Sequence, residues 1–452
     1  MHDTVLPNEP PNISVNEGEE IEGQQELENG CAIMDNTSPE ANYIKTCDEP
    51  PPGLNENEPI ETPKTISVAE DTEANETRMD TEPTEATDTP QVLKYNWAQT
   101  PQLLCTALKE YQCTEQYENF TKGCQWSPDG TCLLVPSEDF RIRLYELPRE
   151  LYSGKLPSDW SVKELPAVLT IKEGGLVYDC CWYPTMSSWL PETCCFLSTS
   201  RESPAHLWDA FTGKLRATYR AYNQVDEVEA SLSVQFVNSA QEVWCGFKNA
   251  LRMFDTERPG RQTKTIEFKK DFPNTSGLVS CIRENPAMPG LVAFGTYSKC
   301  IGLYKDTPLC TFKVGSGVTQ IEFSPCGMKM FSAVRRNDEF ICWDLRNPGV
   351  KLYSLQRRQS DTNQRVQFSL ANSGQHIVSG GTDGNVTVWG LPEETVYEED
   401  LNPISKMQLS SDCINGVSLH KSLPIIATSS GQRLCEDDVN RRSNGVNLWW
   451  SC

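Results

Sequence analysis

From about residue 118 to the end, the chain repeats one pattern of apolar and polar positions. An apolar strand runs into a polar turn. An apolar run with small residues follows, then a short polar loop, then a strand that closes on an aromatic. The turns include SPDG at 127–130, SPCG at 324–327 and NSGQ at 372–375. The closing aromatics are Tyr145, Trp208, Phe254, Tyr304, Trp343, Trp389 and Trp449, spaced by 63, 46, 50, 39, 46 and 60 residues. Asp follows three of them, as Asp209, Asp255 and Asp344.

Strands at a near-fixed period with a Trp-Asp type of ending predict propeller blades of four strands each. The fold class expected is all-β: a seven-bladed WD40 β-propeller over residues 93–452, with a disordered acidic tail over 1–92. Each unit supplies an inner strand a, then b, then c ending at the aromatic. In the fifth unit these fall at 318–323, 328–334 and 339–343. Alternation along strand a turns Ile321 and Phe323 into the sandwich between neighbouring blades. The sequence stops just after the seventh strand c, which leaves that blade without an outer strand d and with an unpaired edge. Residues 103–112 alternate apolar with polar and are expected to supply the missing strand.

Composition changes the picture of charge. The net charge is −23, but residues 1–90 hold 23 acidic and 3 basic residues. The remainder carries 40 acidic and 37 basic residues and is nearly neutral. The first 90 residues contain one aromatic, Tyr43, and cannot bury enough apolar surface to offset the entropy of ordering. Ser38-Pro39, Thr62-Pro63 and Thr89-Pro90 offer phosphorylation sites there. The 19 cysteines are an odd number and fall mostly inside apolar strands, where they act as small hydrophobes. No C-x-x-C occurs and there are four histidines, so no metal site and no cofactor are expected. The N-terminus lacks the apolar core of a signal peptide and no run reaches membrane-spanning length. A reduced compartment, cytosol or nucleus, is expected.

Four runs go beyond the generic repeat. SRESPAHLWDAFTGKLRATYRAYN (200–223), ENFTKGCQWSPDGTC (118–132), TNQRV (362–366) and NGVSLHKSLPIIATSSGQR (415–433) resemble the telomerase Cajal body protein family of WD-repeat proteins. They lie in different units, so the resemblance covers essentially the whole propeller. It implies a nonenzymatic protein that recognises the CAB-box of H/ACA small Cajal-body RNAs, and of telomerase RNA where present. It implies delivery of these particles to Cajal bodies in the nucleus. The partners it implies are dyskerin-type H/ACA core proteins, coilin, and the cytosolic chaperonin that folds the propeller. A monomeric propeller with no membrane association is expected.

The propeller topology says where such a site would sit. Loops b–c and d–a share one face. The b–c loops carry Arg201, Lys248, Lys299, Arg335 with Arg336, and Arg433 followed by Arg441-Arg442; the first and sixth carry Glu138-Asp139 and Thr382-Asp383-Gly384. Five of seven are basic, so RNA is expected to cross one side of the face. The first positions of the a strands, Lys122, Tyr178, Leu232, Ser280, Thr319, Gln364 and Asn415, are expected to reach it too. Single-stranded RNA is held by stacking, base-edge hydrogen bonds and phosphate contacts. Arg201, Arg335, Arg336 and Arg433 are the leading candidates, backed by Lys122, Tyr178, Gln364, Arg365 and Asn415, with Lys248, Lys299 and Tyr297 completing the set. Phe120 reads as core.

Two other readings compete. A protein-binding scaffold, such as a ubiquitin-ligase substrate receptor, is the commonest occupation of such propellers. An enzyme finds no support: His206, His376 and His420 fall in strands of different blades, with no nucleophile or carboxylate constellation around them.

Overall fold

The computed structural model describes residues 95–112, 119–337, 339–356, 362–393, 399–433 and 443–452. The Ser-Pro and Thr-Pro sites of the tail and Arg441-Arg442 lie outside these residues. All described residues belong to the unit Ala86–Cys452.

That unit is a ring of seven antiparallel blades. Blades 1 to 6 span residues 125–172, 177–219, 233–267, 279–313, 318–356 and 368–408. Blade 7 takes its strands a to c from Ile414–Leu419, Ile425–Ser430 and Gly445–Trp450, and its outer strand from Gln102–Ala107. Leu103 stands opposite Trp449 and Cys105 opposite Leu448. The strand is shorter than its alternation suggested, because Lys109–Tyr111 turns into a 3-10 helix.

All seven closing aromatics lie near the end of a strand c, each opposite an apolar residue of strand b, as Trp343 opposite Met330 and Trp389 opposite Ile377. Trp389, Tyr145 and Phe254 are fully buried. Burying a side chain of this size contributes about 2–3 kcal/mol. The core is seven apolar clusters, one between each pair of adjacent blades. Ile321 and Phe323 join the cluster between blades 4 and 5, as their alternation predicted. Trp126 and Trp182 occupy equivalent buried places.

The a–b turns explain the SPDG and SPCG signals. Gly130 and Gly327 take left-handed backbone, φ 76° and 72°, and their N–H groups donate to the carbonyls of Ser127 and Ser324. At the NSGQ run the turn closes one residue earlier than read, with Gly374 donating to Ala371, because the glycine must occupy the left-handed position.

Two blades carry a fifth strand. Lys163–Glu164, from the c–d loop of blade 1, runs parallel to Gln102–Ala107 on the edge of blade 7. Glu399–Leu401, from the c–d loop of blade 6, runs parallel to Lys351–Gln356 on the edge of blade 5. In both cases the loop of one blade covers the outer edge of the blade before it.

Candidate nucleic-acid interface

The face on which strands a begin, here the top face, gathers the b–c hairpins. These are tight enough that a residue at the tip adopts left-handed backbone: Asn249 (φ 60°) in blade 3, Lys299 (φ 63°) in blade 4 and Arg336 (φ 47°) in blade 5. A non-glycine residue pays about 1–2 kcal/mol for that conformation.

Among the described residues of these hairpins, three exposed cations without an ion pair fall on one arc. Lys248, Lys299 and Arg336, on consecutive blades 3 to 5, are exposed and make no ion pair among the described residues. Arg335 is half-buried, and its guanidinium carbon lies 3.7 Å from the centroid of the Tyr297 ring. Its buried Nε has no hydrogen-bond partner among the described residues. Tyr178, half-buried at the start of blade 2, is the neighbouring aromatic. Burial raises its hydroxyl above the ordinary pKa; Arg201 opposes the shift, while Glu202 and Tyr297 add to it. Arg201 is exposed and pairs with Glu202 at 3.1 Å. Blades 2 to 5 thus present two tyrosines inside a rim of cations.

The opposite arc is neutralised. Glu138 of blade 1 pairs with Lys122 at 2.8 Å and with Arg433 of blade 7, also at 2.8 Å. Burial lowers the pKa of Lys122, and Glu138 partly restores it. Asp139 is bound by Arg141 and Arg143. Asp383 of blade 6 accepts from Lys406 at 3.0 Å. Lys122 is thus largely buried against Glu138, whereas Arg433 keeps an exposed side chain while paired with the same carboxylate.

Three further expected contacts turn inward. Asn415 is 1% exposed. Its Oδ1 accepts from Thr121, Gly123 and Ser429, and its Nδ2 donates to the carbonyls of Thr121 and Gly431, clasping blade 7 to blade 1. Gln364 donates to the Gly431 carbonyl at 2.9 Å. Arg365 reaches across the central channel, bonding the Ser280 carbonyl of blade 4 and lying 3.9 Å from Asp179 of blade 2. Asp179 is the group the sequence reading missed. Burial raises its carboxyl above the usual range against the pull of Arg365 and Arg283.

A register slip lies behind Asn415, whereas Gln364 and Arg365 precede strand a of blade 6, Phe368–Leu370. In blades 2, 4, 5 and 7 the pairing of strands a and b slips at Tyr178, Ser280, Thr319 and Asn415. A bulge leaves one residue unpaired and re-aims its side chain, so strict alternation no longer says which way it points. Ser280 and Thr319 are buried and bond the Val318 and Ala333 carbonyls. Tyr178 alone of the four stays half-open.

The histidines are held within the protein, and one expectation is corrected: His206 does have a carboxylate beside it, Glu173 at 3.0 Å. His206, Ser198, Ser200 and Trp208 all bond the fully buried Glu173 carboxylate. Burial alone would raise that carboxyl; the hydrogen bonds from His206 and Ser198 hold it below its usual range. His420 stacks edge-on against Trp126, and His376 lies near Trp97. Among the described residues no group of three or more His, Cys, Asp or Glu is placed to hold a metal ion. Nor, among the described residues, is any helix long and apolar enough to cross a membrane.

Seven antiparallel blades with aromatic ends to their c strands define a WD-repeat β-propeller. No family model matches the chain. Curated relatives do. It is 43% identical over 355 residues to telomerase Cajal body protein 1 of Mesocricetus auratus, covering 78% of this chain and 65% of that one. It is 41% identical over 366 residues to the protein of that name in Homo sapiens, covering 78% and 64%. It is also 31% identical over 321 residues to guanine nucleotide-binding protein negative regulator 1 of Schizosaccharomyces pombe, covering 65% and 79%. The chain belongs to the telomerase Cajal body protein family. It spans just under two thirds of the length of the first two relatives.

Proposed function

We propose that this chain is a nonenzymatic RNA-binding escort. It recognises the CAB-box of H/ACA small Cajal-body RNAs, and of telomerase RNA where present. It directs these ribonucleoproteins to Cajal bodies and supports telomerase assembly and telomere maintenance. Its seat is the nucleus and the Cajal body, with a cytoplasmic stage during folding by the chaperonin. Dyskerin-type core proteins and coilin are its partners in the particle.

The observation that carries this reading is the Arg335–Tyr297 stack, flanked by Tyr178 and by the cations of blades 2 to 5. A guanidinium packed on an aromatic ring, with an unsatisfied N–H, is prepared for a base to stack and hydrogen-bond. Lys248, Lys299 and Arg336, which make no ion pair among the described residues, supply phosphate contacts around it. The bases of a single-stranded loop are open to such readout.

Crosslinking in cells followed by RNA sequencing tests the assignment. H/ACA-type RNAs should be enriched; their absence overturns it in favour of a protein scaffold. In vitro, affinity for a CAB-box hairpin should fall with salt by about 0.7 log units per log unit of salt for each phosphate neutralised.

A further inference from the structure

Outside the hairpin tips, the top face of blades 3 and 4 carries a second row of cations. It lies on the segments that lead from a strand d to the next strand a. Strand d of blade 3 runs into the helical turn Phe268–Asp271, which bears Lys269 and Lys270, and strand d of blade 4 ends on Lys313. All three lysines are exposed and make no ion pair among the described residues. Neighbouring strands lie about 4.8 Å apart, so this row stands about 5–10 Å further from the channel than the tips do.

Backbone hydrogen bonds key the two rows to each other. The Phe268 N–H donates to the Asn249 carbonyl at 3.0 Å, which sets Lys269 and Lys270 beside the tip that bears Lys248. The Val314 N–H donates to the Lys299 carbonyl at 2.9 Å, and Lys313 stands opposite Cys300, so Lys313 is held beside Lys299. The Tyr297 N–H donates to the Leu278 carbonyl at 3.0 Å and ties the stacking ring to the segment between blades 3 and 4. The carboxylates described on this part of the face are Glu267 and Asp271, with Glu227 on the hairpin before blade 3. Asp226 and Glu229 of that hairpin are taken by Arg261 and Arg252. Lys248, Lys269, Lys270, Lys299 and Lys313 outnumber the remaining three before Arg335 and Arg336 are added.

The rows differ in chemistry. At the channel an arginine lies on a tyrosine. The outer row offers lysine alone, because Phe268 and Phe272, the aromatics of its segment, are buried. An unpaired strand is held by rings on which its bases stack. A duplex stacks its bases on one another and presents its phosphates, which a lysine meets as a point charge.

We infer that the outer row of blades 3 and 4 seats a base-paired RNA stem by its phosphates, while the loop carried by that stem lies over the channel. The inference rests on the RNA reading of the top face and adds the direction in which the RNA leaves it. Lys269, Lys270 and Lys313 then set affinity for the stem without reading its sequence, and the Arg335–Tyr297 stack meets the unpaired bases.

The test uses the full chain and two probes: a CAB-box hairpin, and its loop sequence as an unpaired strand. Affinity and its salt dependence are measured for the parent, for the triple variant Lys269→Ala, Lys270→Ala, Lys313→Ala, and for Arg335→Ala. The parent should bind the hairpin more tightly than the unpaired strand. The triple variant should bind the hairpin about tenfold more weakly than the parent does, with a log–log salt slope shallower by about 0.7–0.9 for each phosphate given up. Its affinity for the unpaired strand and its melting temperature should match the parent's. Arg335→Ala should weaken both probes. The inference is overturned if the triple variant, with its melting temperature unchanged, holds the hairpin as the parent does or loses both probes equally. Equal affinity of the parent for the two probes also overturns it, because the stem then contributes nothing. If the parent binds neither probe, the RNA reading of the face fails, and this inference falls with it.

Discussion

Arg365 of blade 6 lies 3.9 Å from Asp179 of blade 2, across the central channel. The same guanidinium bonds the Ser280 carbonyl of blade 4. One side chain therefore ties together three blades that share no sheet. Arg365→Ala should lower stability by about 2 kcal/mol near neutral pH; the full cost of breaking a buried pair is discounted because a quarter of the Arg365 side chain meets solvent. The folded carboxyl of Asp179 titrates above its unfolded value, so its ionisation opposes folding as pH rises, and Arg365 relieves that cost. The deficit of Arg365→Ala should be full at neutral pH and shrink as pH falls through the folded pKa of Asp179. Urea melts at pH 7 and below, with Asp179→Asn as the companion variant, measure it. A deficit independent of pH would leave the pair without a role.

Asn415→Ala should cost about 3 kcal/mol, since it strips five buried hydrogen bonds from the seam between blades 7 and 1. RNA affinity of the surviving folded fraction should be unchanged. A loss of affinity without a loss of stability would return Asn415 to the binding face.

Tyr297→Leu should weaken RNA by about 1–3 kcal/mol, while Tyr297→Phe retains binding, because a stacked base needs the ring. Lys299→Gly offers a sharper separation. Glycine relieves the left-handed backbone at φ 63°, so the melting temperature should hold or rise while RNA affinity falls. Calorimetry and filter binding on the same preparations decide it.

Glu138→Gln should raise RNA affinity several-fold. It releases both Lys122 and Arg433 and removes a carboxylate from the path of the phosphates. The log–log salt slope should steepen by about 0.7 for each phosphate gained. An unchanged slope would mean that RNA never crosses the seam between blades 1 and 7.

Closure can be tested by truncation. Removing residues 1–92 should leave a cooperative melt. Removing residues 1–108 takes away Gln102–Ala107 and exposes the edge of Gly445–Trp450, and the cooperative transition should disappear. A folded, monodisperse product from the longer deletion would contradict this.

The architecture was legible because it rests on a long-range period. Seven aromatics at strand ends survive loops of unequal length, and the alternation of Ile321 and Phe323 points where it should. The binding face was legible only in part. Lys248, Lys299 and Arg336 sit on hairpin tips, where sequence position and exposure coincide. Asn415 sits at the start of a strand a, where a one-residue slip turns a side chain from the face into the wall, and Arg365 lies on the loop before one, where alternation says nothing of direction. No local residue type announces such a slip. Nor does sequence reveal that Glu138, read as a gap in a basic ring, is the counter-ion of two of its members.

The seam between the ends of the ring also sets a clock. Ser451 Oγ donates to the carbonyl of Asn96, 355 residues away along the chain. At about 5–20 residues per second, a ribosome needs roughly 20–70 s to make the partner that strand Gln102–Ala107 awaits. Throughout that interval an apolar strand made early has no native edge to join. Every growing copy must pass through an open ring whose blades are built and whose latch is still missing.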